Sequence, residues 1–237
     1  MNKLVISIRS LKKYFDNNVV LDGISLDVNK GDVPEFEILV ANTSNKAYSP
    51  VLMHLPPYLT AIAEPKTLGK NENGKITVRL DTEKLPKLGI TRTSVYMSRF
   101  MGDKVSPETE IPVSVALLPD FSKMTDFQKQ NPPVINIKET NIDFPGLKPK
   151  QKKSHTVIIT NNGKSNLEIL DLQVFSMALN VDLNKSIIKP GETAKMKVTV
   201  LAKNLHKVKG SPRILMITND PSKPKISIKV NASLLEE

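Results

Sequence analysis

The chain's three histidines, His54, His155 and His206, are its first candidates for proton-transfer chemistry, and they lie far apart. Nucleophilic catalysis needs a base within hydrogen-bond reach of its nucleophile. No local motif supplies that pairing, so a triad would have to be assembled by the fold alone. His54 reads as a loop residue in Met53-His54-Leu55-Pro56-Pro57-Tyr58, and His155 alternates onto the solvent side of its strand. No two histidines stand at a metal-ligand spacing. Glu35 and Glu37 share one strand face and could form a carboxylate pair. A charged face that protects an edge strand from aggregation accounts for them better. Gly163-Lys164-Ser165 has the tail of a phosphate-binding loop, but the glycine required five residues before Gly163 is Ile158, inside a strand. There is no cysteine, which excludes disulfide frameworks, Cys-ligated zinc, iron–sulfur clusters and thiol catalysis. No catalytic residue, cofactor or metal is therefore expected, and the chain reads as non-enzymatic.

The lysines are more informative. The formal charge is +10, yet residues 1–120 hold 15 Lys plus Arg against 14 Asp plus Glu, while residues 121–237 hold 19 against 10. The surplus belongs to the second half, where Lys148, Lys150, Lys152 and Lys153 cluster and Lys203, Lys207, Lys209 and Arg213 follow. These lysines form a candidate basic patch for anionic partners such as lipid headgroups or acidic glycans, with a merely solvated surface as the plainer reading. Nucleic acid is disfavoured, because bases need stacking platforms. After residue 130 the only aromatics are Phe144 and Phe175. In the first half, Pro56, Pro57 and Tyr58 form a second candidate, either a rigid contact loop or a loop that packs over the end of a domain.

The elements that must position these residues repeat along the chain. Phe36–Ser44 and His155–Gly163 align so that Asn42 falls on Asn161. Gly74 and Gly191 then precede alternating runs, Gly89 and Gly210 open further strands, and Ile111–Leu117 corresponds to Ile226–Val230. Each copy reads as short strands of period two, with Asn162-Gly163, Pro190-Gly191 and Asn73-Gly74 as turns. Strands at roughly 8 to 12 residue spacing with no helical period predict antiparallel β-sandwiches. Pro112, within the first copy's last strand, is expected at a sheet edge or with its amide position outward. Met177, Met196 and Met216 are expected as core gap fillers. Leu11–Asn18 precedes the first copy as an added turn or hairpin. The predicted organisation is an all-β chain of two tandem Ig-like antiparallel β-sandwich domains, 1–120 and 134–237, with 121–133 as a linker carrying one short helical turn.

Ile142-Asp143-Phe144-Pro145-Gly146-Leu147, Thr160-Asn161-Asn162-Gly163, Leu167-Glu168-Ile169, Lys189-Pro190-Gly191-Glu192, Lys209-Gly210 and Ile217-Thr218-Asn219-Asp220-Pro221 follow in order across residues 134–237. In this order they resemble a bacterial Ig-like family of unknown function common in Bacteroidetes envelope proteins, itself similar to hydin-like and major-sperm-protein-like sandwiches. Where members often carry Cys-Gly-Cys, this chain has Phe175-Ser176-Met177-Ala178-Leu179. No redox or metal role therefore carries over. The triplets Asn42-Thr43-Ser44, Asn184-Lys185-Ser186 and Asn231-Ala232-Ser233 match glycosylation sites, but in a chain that looks bacterial they are read as chance. The resemblance implies an adaptor of the periplasm or cell envelope whose partner is another envelope protein. A ligand module for acidic glycan or lipid headgroups is the alternative function. Met1–Arg9 is too short and too soon charged for a signal peptide, so export rests on the resemblance and the cytoplasm is the other option. No stretch has the length of apolar sequence that spans a bilayer as a helix.

Overall fold

The computed structural model describes residues 13–15, 18–20, 24–208 and 210–235. Contacts divide the chain into two units, Met1–Leu117 and Leu118–Glu237. Strands β1 (Lys13–Phe15) and β2 (Asn18–Val20) pair antiparallel; they start within the expected added segment and run two residues past its end at Asn18. The remainder of that segment lies outside the described residues.

Unit 1 stacks two sheets. β3 (Ile24–Asn29), β9 (Glu110–Leu118), β8 (Gly89–Ser98) and β5 (Val51–Met53) form one in that spatial order, and β4 (Glu35–Ala41), β7 (Asn73–Leu80) and β6 (Leu59–Glu64) form the other. Period-two alternation puts Ile24, Leu26 and Val28 of β3, Phe36 and Ile38 of β4, and Ile76, Val78 and Leu80 of β7 into one core with Val113, Val115 and Leu117. Pro112 is exposed opposite Ser94, but its strand lies between two others rather than at an edge.

Unit 2 has the same two-sheet construction. One sheet orders β10 (Ile135–Ile137), β12 (Lys152–Asn161), β16 (Thr193–Leu201) and β14 (Leu179–Leu183). The other orders β11 (Asn141–Leu147), β18 (Lys225–Leu234), β17 (Arg213–Thr218), β13 (Leu167–Val174) and β15 (Ile187–Ile188). Its core gathers Phe144, Val157, Ile159, Met196, Val198, Ile214, Met216, Ile228 and Val230. Met196 and Met216 are core residues as expected, whereas Met177 is 62% exposed because it lies in the turn between β13 and β14. The stretch before β10 carries helix α1 (Asp126–Gln130), started by a capping box between Thr125 and Gln128.

Buried Asn42 and Asn161 terminate corresponding strands with one pattern of bonds. The Asn161 side-chain amide donates to the carbonyls of Ser165 (2.8 Å) and Ile188 (2.9 Å), and its oxygen accepts from the Gly163 amide at 2.9 Å. The Asn42 amide reaches the carbonyls of Lys46 (2.9 Å) and Leu68 (3.0 Å), and its oxygen accepts from the Ser44 amide at 2.9 Å. Their backbone amides bond Glu72 and Glu192, so the residues with positive φ just before these, Asn71 and Gly191, correspond. The expected pairing of Gly74 with Gly191 is therefore displaced. Gly191 is a turn residue at φ +76°, but Gly74 and Gly163 do not have positive φ. Gly74 sits inside β7, where a Cβ would lie 2.8 Å from Leu68 and 2.9 Å from the Glu64 carbonyl. Gly163 lets the backbone of Pro132–Val134 pass, since a Cβ there would meet Pro132 O and Val134 N at 2.4 Å. Both glycines serve close approach rather than the turns expected of them.

Candidate functional site

Two places emerge, a strand edge of unit 1 that carries no further strand among the described residues and a basic end in unit 2. In unit 2, β10 covers the outer edge of β12, with Ile135, Asn136 and Ile137 opposite Asn161, Thr160 and Ile159. Several side chains fix its start. Asp220, 1% exposed, accepts from the Ile135 amide at 2.9 Å and is itself tied to Ser222 at 2.8 and 2.7 Å. Ser165 donates to the Asn131 carbonyl at 2.6 Å, and Gly163 leaves room for the chain to cross.

Among the described residues of unit 1 none of these devices is present. The Asn42 pattern places Ser44 and Lys46 where Gly163 and Ser165 stand. Ser98 and Thr218 each close a strand as buried polar residues, and two residues later come Phe100 and Asp220. Phe100 is 54% exposed and Met101 is 73% exposed. The Thr218 hydroxyl donates to the Lys223 carbonyl at 2.9 Å, while the buried Ser98 hydroxyl has no hydrogen-bond partner among the described residues. Among the described residues no strand pairs with the outer edge of β4. Val40 is accordingly only half-buried, although its counterpart Ile159 is fully buried. The outward face carries Glu37 bonded to Lys75 at 2.6 Å and Glu35 facing Arg79 at 3.5 Å, with Leu39 79% exposed. The hydrogen bond from Lys75 to Glu37 holds the Lys75 ammonium pKa above its ordinary value. Glu35 and Glu37 thus form the charged face of an edge strand.

The second place gathers lysines that the sequence spreads over sixty positions. The turn at Lys148–Gln151 closes through the Gln151 amide on the Lys148 carbonyl at 3.0 Å, with Lys150 at φ +66°. The Ala202 amide bonds the Gln151 carbonyl at 2.9 Å, Lys152 lies opposite Leu201, and Lys153 opposite Val200. This brings the short helix Ala202–Lys207, with Lys203 and Lys207, against the first lysine cluster. The Leu201 amide bonds the Ala178 carbonyl at 2.8 Å, and Asn204 donates to the Met177 carbonyl at 2.7 Å, which adds the β13–β14 turn. The Leu235 amide bonds the Leu147 carbonyl at 3.0 Å, beside Lys148. Lys148, Lys150, Lys152, Lys153, Lys203 and Lys207 are all exposed there. Lys209 lies outside the described residues. Arg213 is exposed opposite Lys229.

The other candidates read differently. Tyr58 is 8% exposed and belongs to the core of unit 1, so it is no surface contact; the Leu59 amide bonds the Pro56 carbonyl at 2.9 Å and turns the ring inward. Pro57 is exposed and Pro56 half-buried, so the loop packs over the end of its sandwich. His155 shares strand parity with buried Val157 and Ile159, but its side chain is still 40% exposed, and its Nε2 lies 2.6 Å from Glu139. His54 stacks edge-on to Tyr96 with ring centroids 5.1 Å apart. His206 lies on the short helix of the basic end. Among the described residues no group of three His, Asp or Glu side chains could hold a metal ion, and no helix is long and apolar enough to cross a membrane.

Residues 133–233 match the family model described as the HYDIN/CFA65/VesB-like Ig-like domain. No curated protein matches the chain. The chain is similar in fold to a crystal structure of a protein of unknown function from Porphyromonas gingivalis W83, with TM-score 0.60 and 21% identity over 87% of this chain and 94% of that one. Weaker similarities include the ASH/PapD-like domain 7 of human CEP192, with TM-score 0.34 and 12% identity over 59% of this chain and 99% of that one. The Pseudomonas aeruginosa CupB2 chaperone is another, with TM-score 0.28 and 10% identity over 88% and 97%.

Proposed function

We propose that this protein is a non-enzymatic interaction module of the bacterial cell envelope, an adaptor of two repeated Ig-like sandwiches that binds an extended segment of another envelope protein along the β4 edge. One observation carries the reading: the edge that β10 occupies in unit 2 has no strand upon it in unit 1 among the described residues, and the side chains that would hold one are replaced. An open edge presents a row of amides and carbonyls that another chain can pair with, and the charged face of Glu35 and Glu37 guards this one against unselective pairing. Main-chain pairing supplies affinity in strand addition, and pockets for alternate side chains supply specificity. Half-buried Val40 and exposed Phe100 and Met101 offer apolar surface at the open end. The envelope setting rests on the resemblance of residues 134–237 to a family of exported modules.

A photo-crosslinking residue at Leu39 of the full chain, expressed in its native cells, tests this. The expected outcome is one discrete adduct that maps to an extended segment of an envelope protein and disappears when Ala41→Pro is added. The same residue at Ser25, exposed on β3, should give none. Equal adducts from both positions, or none from Leu39, would remove the reading.

A further inference from the structure

The basic end of unit 2 pairs two features that seldom coincide on a merely solvated surface. Six lysines, Lys148, Lys150, Lys152, Lys153, Lys203 and Lys207, surround it, and the loops 148–151, 175–178 and 202–207 contain no acidic residue. Glu236 and Glu237 follow Leu235 in sequence and lie outside the described residues. Within this lysine rim stand two unbranched or γ-branched apolar tips, Met177 at 62% exposure and Leu235 at 52%. A bond from the Asn204 side-chain amide to the Met177 carbonyl and a backbone bond from Leu235 to Leu147 fix both tips to the lysine-bearing loops.

The geometry points to this end as a docking surface for an anionic lipid bilayer, with Met177 and Leu235 entering the headgroup–acyl boundary and the lysines resting on the headgroups. Interfacial binding grows with buried apolar area and with attraction to anionic lipid. Lysine stems can lie along apolar surface while their ammonium groups stay in water. Each ammonium is a point charge suited to a field of headgroups rather than to one bidentate ligand, for which arginine would be the better residue. A glycan site is the poorer fit, because flat aromatic platforms are missing: Phe144 is 2% exposed, Phe175 is half-buried, and no Tyr or Trp follows residue 130. Electrostatic attraction alone would suit any polyanion; the apolar tips single out the bilayer.

The test is sedimentation of the full chain with vesicles of phosphatidylcholine alone and of equal parts phosphatidylcholine and phosphatidylglycerol. Binding is expected only to the second and is expected to fade in high salt. A lysine near an anionic surface is worth about fivefold in partitioning. Lys150→Gln, Lys152→Gln and Lys153→Gln together should therefore weaken binding by roughly a hundredfold. Lys164→Gln, Lys189→Gln and Lys223→Gln together, exposed around the opposite end, remove the same charge and should leave it nearly intact. Met177→Gln, which adds no charge, should cost on the order of tenfold on vesicles and nothing on dextran sulfate. Equal loss from both lysine triples would mean that net charge alone is sensed, and would overturn the proposal. So would binding to dextran sulfate without vesicle binding, which would assign an acidic polymer, and so would binding to phosphatidylcholine alone. All the substituted side chains are exposed, and unchanged thermal melting confirms that each variant is folded.

Discussion

Asn161 and Gly163 show how much a single residue decides here. Asn161 satisfies two buried carbonyls and accepts from the Gly163 amide, so the loop after β12 is held from within. Gly163 then sits against Pro132–Val134 so closely that a methyl group has no room, and the obstacle is backbone that cannot rotate away. Gly163→Ala is expected to destabilise unit 2 by about 2 to 3 kcal/mol, in the range of overpacked interior sites, as read from chemical denaturation. Ser44→Gly, at the corresponding position of unit 1, should change stability by less than about 1 kcal/mol. An equal loss at both positions would show that close packing is not the cause. The alignment of Asn42 with Asn161 was legible because a polar residue at the end of an alternating run is conspicuous. The purpose of Gly163 was not, since a glycine kept for close approach and a glycine kept for a turn look alike in sequence. The same ambiguity misplaced Gly74, while Asn71, the residue with positive φ, carried no glycine to mark it.

At the scale of elements the strands were largely legible and the edges were not. Period two identified β4, β7, β12, β16 and β18, because their inward residues meet one core each. Whether an edge is covered depends instead on a few residues far apart in the chain. β10 is only three residues long, too short for a strand pattern, and its anchor Asp220 lies 85 positions from Ile135. Such a strand is held as much by Asp220 as by its own ladder, because a buried carboxylate satisfied by three donors keeps the amide of Ile135 in place. Asp220→Ala should therefore loosen β10 first. Hydrogen exchange is the measurement: amides of Ile135–Ile137 should lose protection by at least about tenfold, while those of Val157 and Val198 lose much less. Uniform loss across all strands would mean that Asp220 stabilises the whole unit rather than the edge. The lysine patch was half-visible for the same reason. Lys148–Lys153 cluster in sequence, but only the pairing of β12 with β16 brings Lys203 and Lys207 to them.

On the scale of the whole molecule, each unit closes its own core. Ile24, Phe36, Val78 and Val115 belong to one cluster and Phe144, Ile159, Val198 and Ile228 to another, and among the described residues no buried one is shared between the clusters. Cooperative unfolding follows shared burial, so two separate cores predict two transitions rather than one. Ile228, fully buried among residues of unit 2, supplies the probe. Ile228→Ala removes buried apolar volume worth about 2 to 5 kcal/mol. For a domain of this size that loss lowers the midpoint of one calorimetric transition by roughly 8 to 20 °C, and the other should stay where it is. A common shift of both would mean that the units fold as one cooperative body. Independence of this kind suits the division of charge, since residues 121–237 carry nearly all of the surplus and residues 1–120 almost none. A near-neutral unit with no strand on its β4 edge among the described residues and a basic unit with β10 on the corresponding edge would then, as proposed, hold different partners, because the two proposed binding surfaces rest on separate cores.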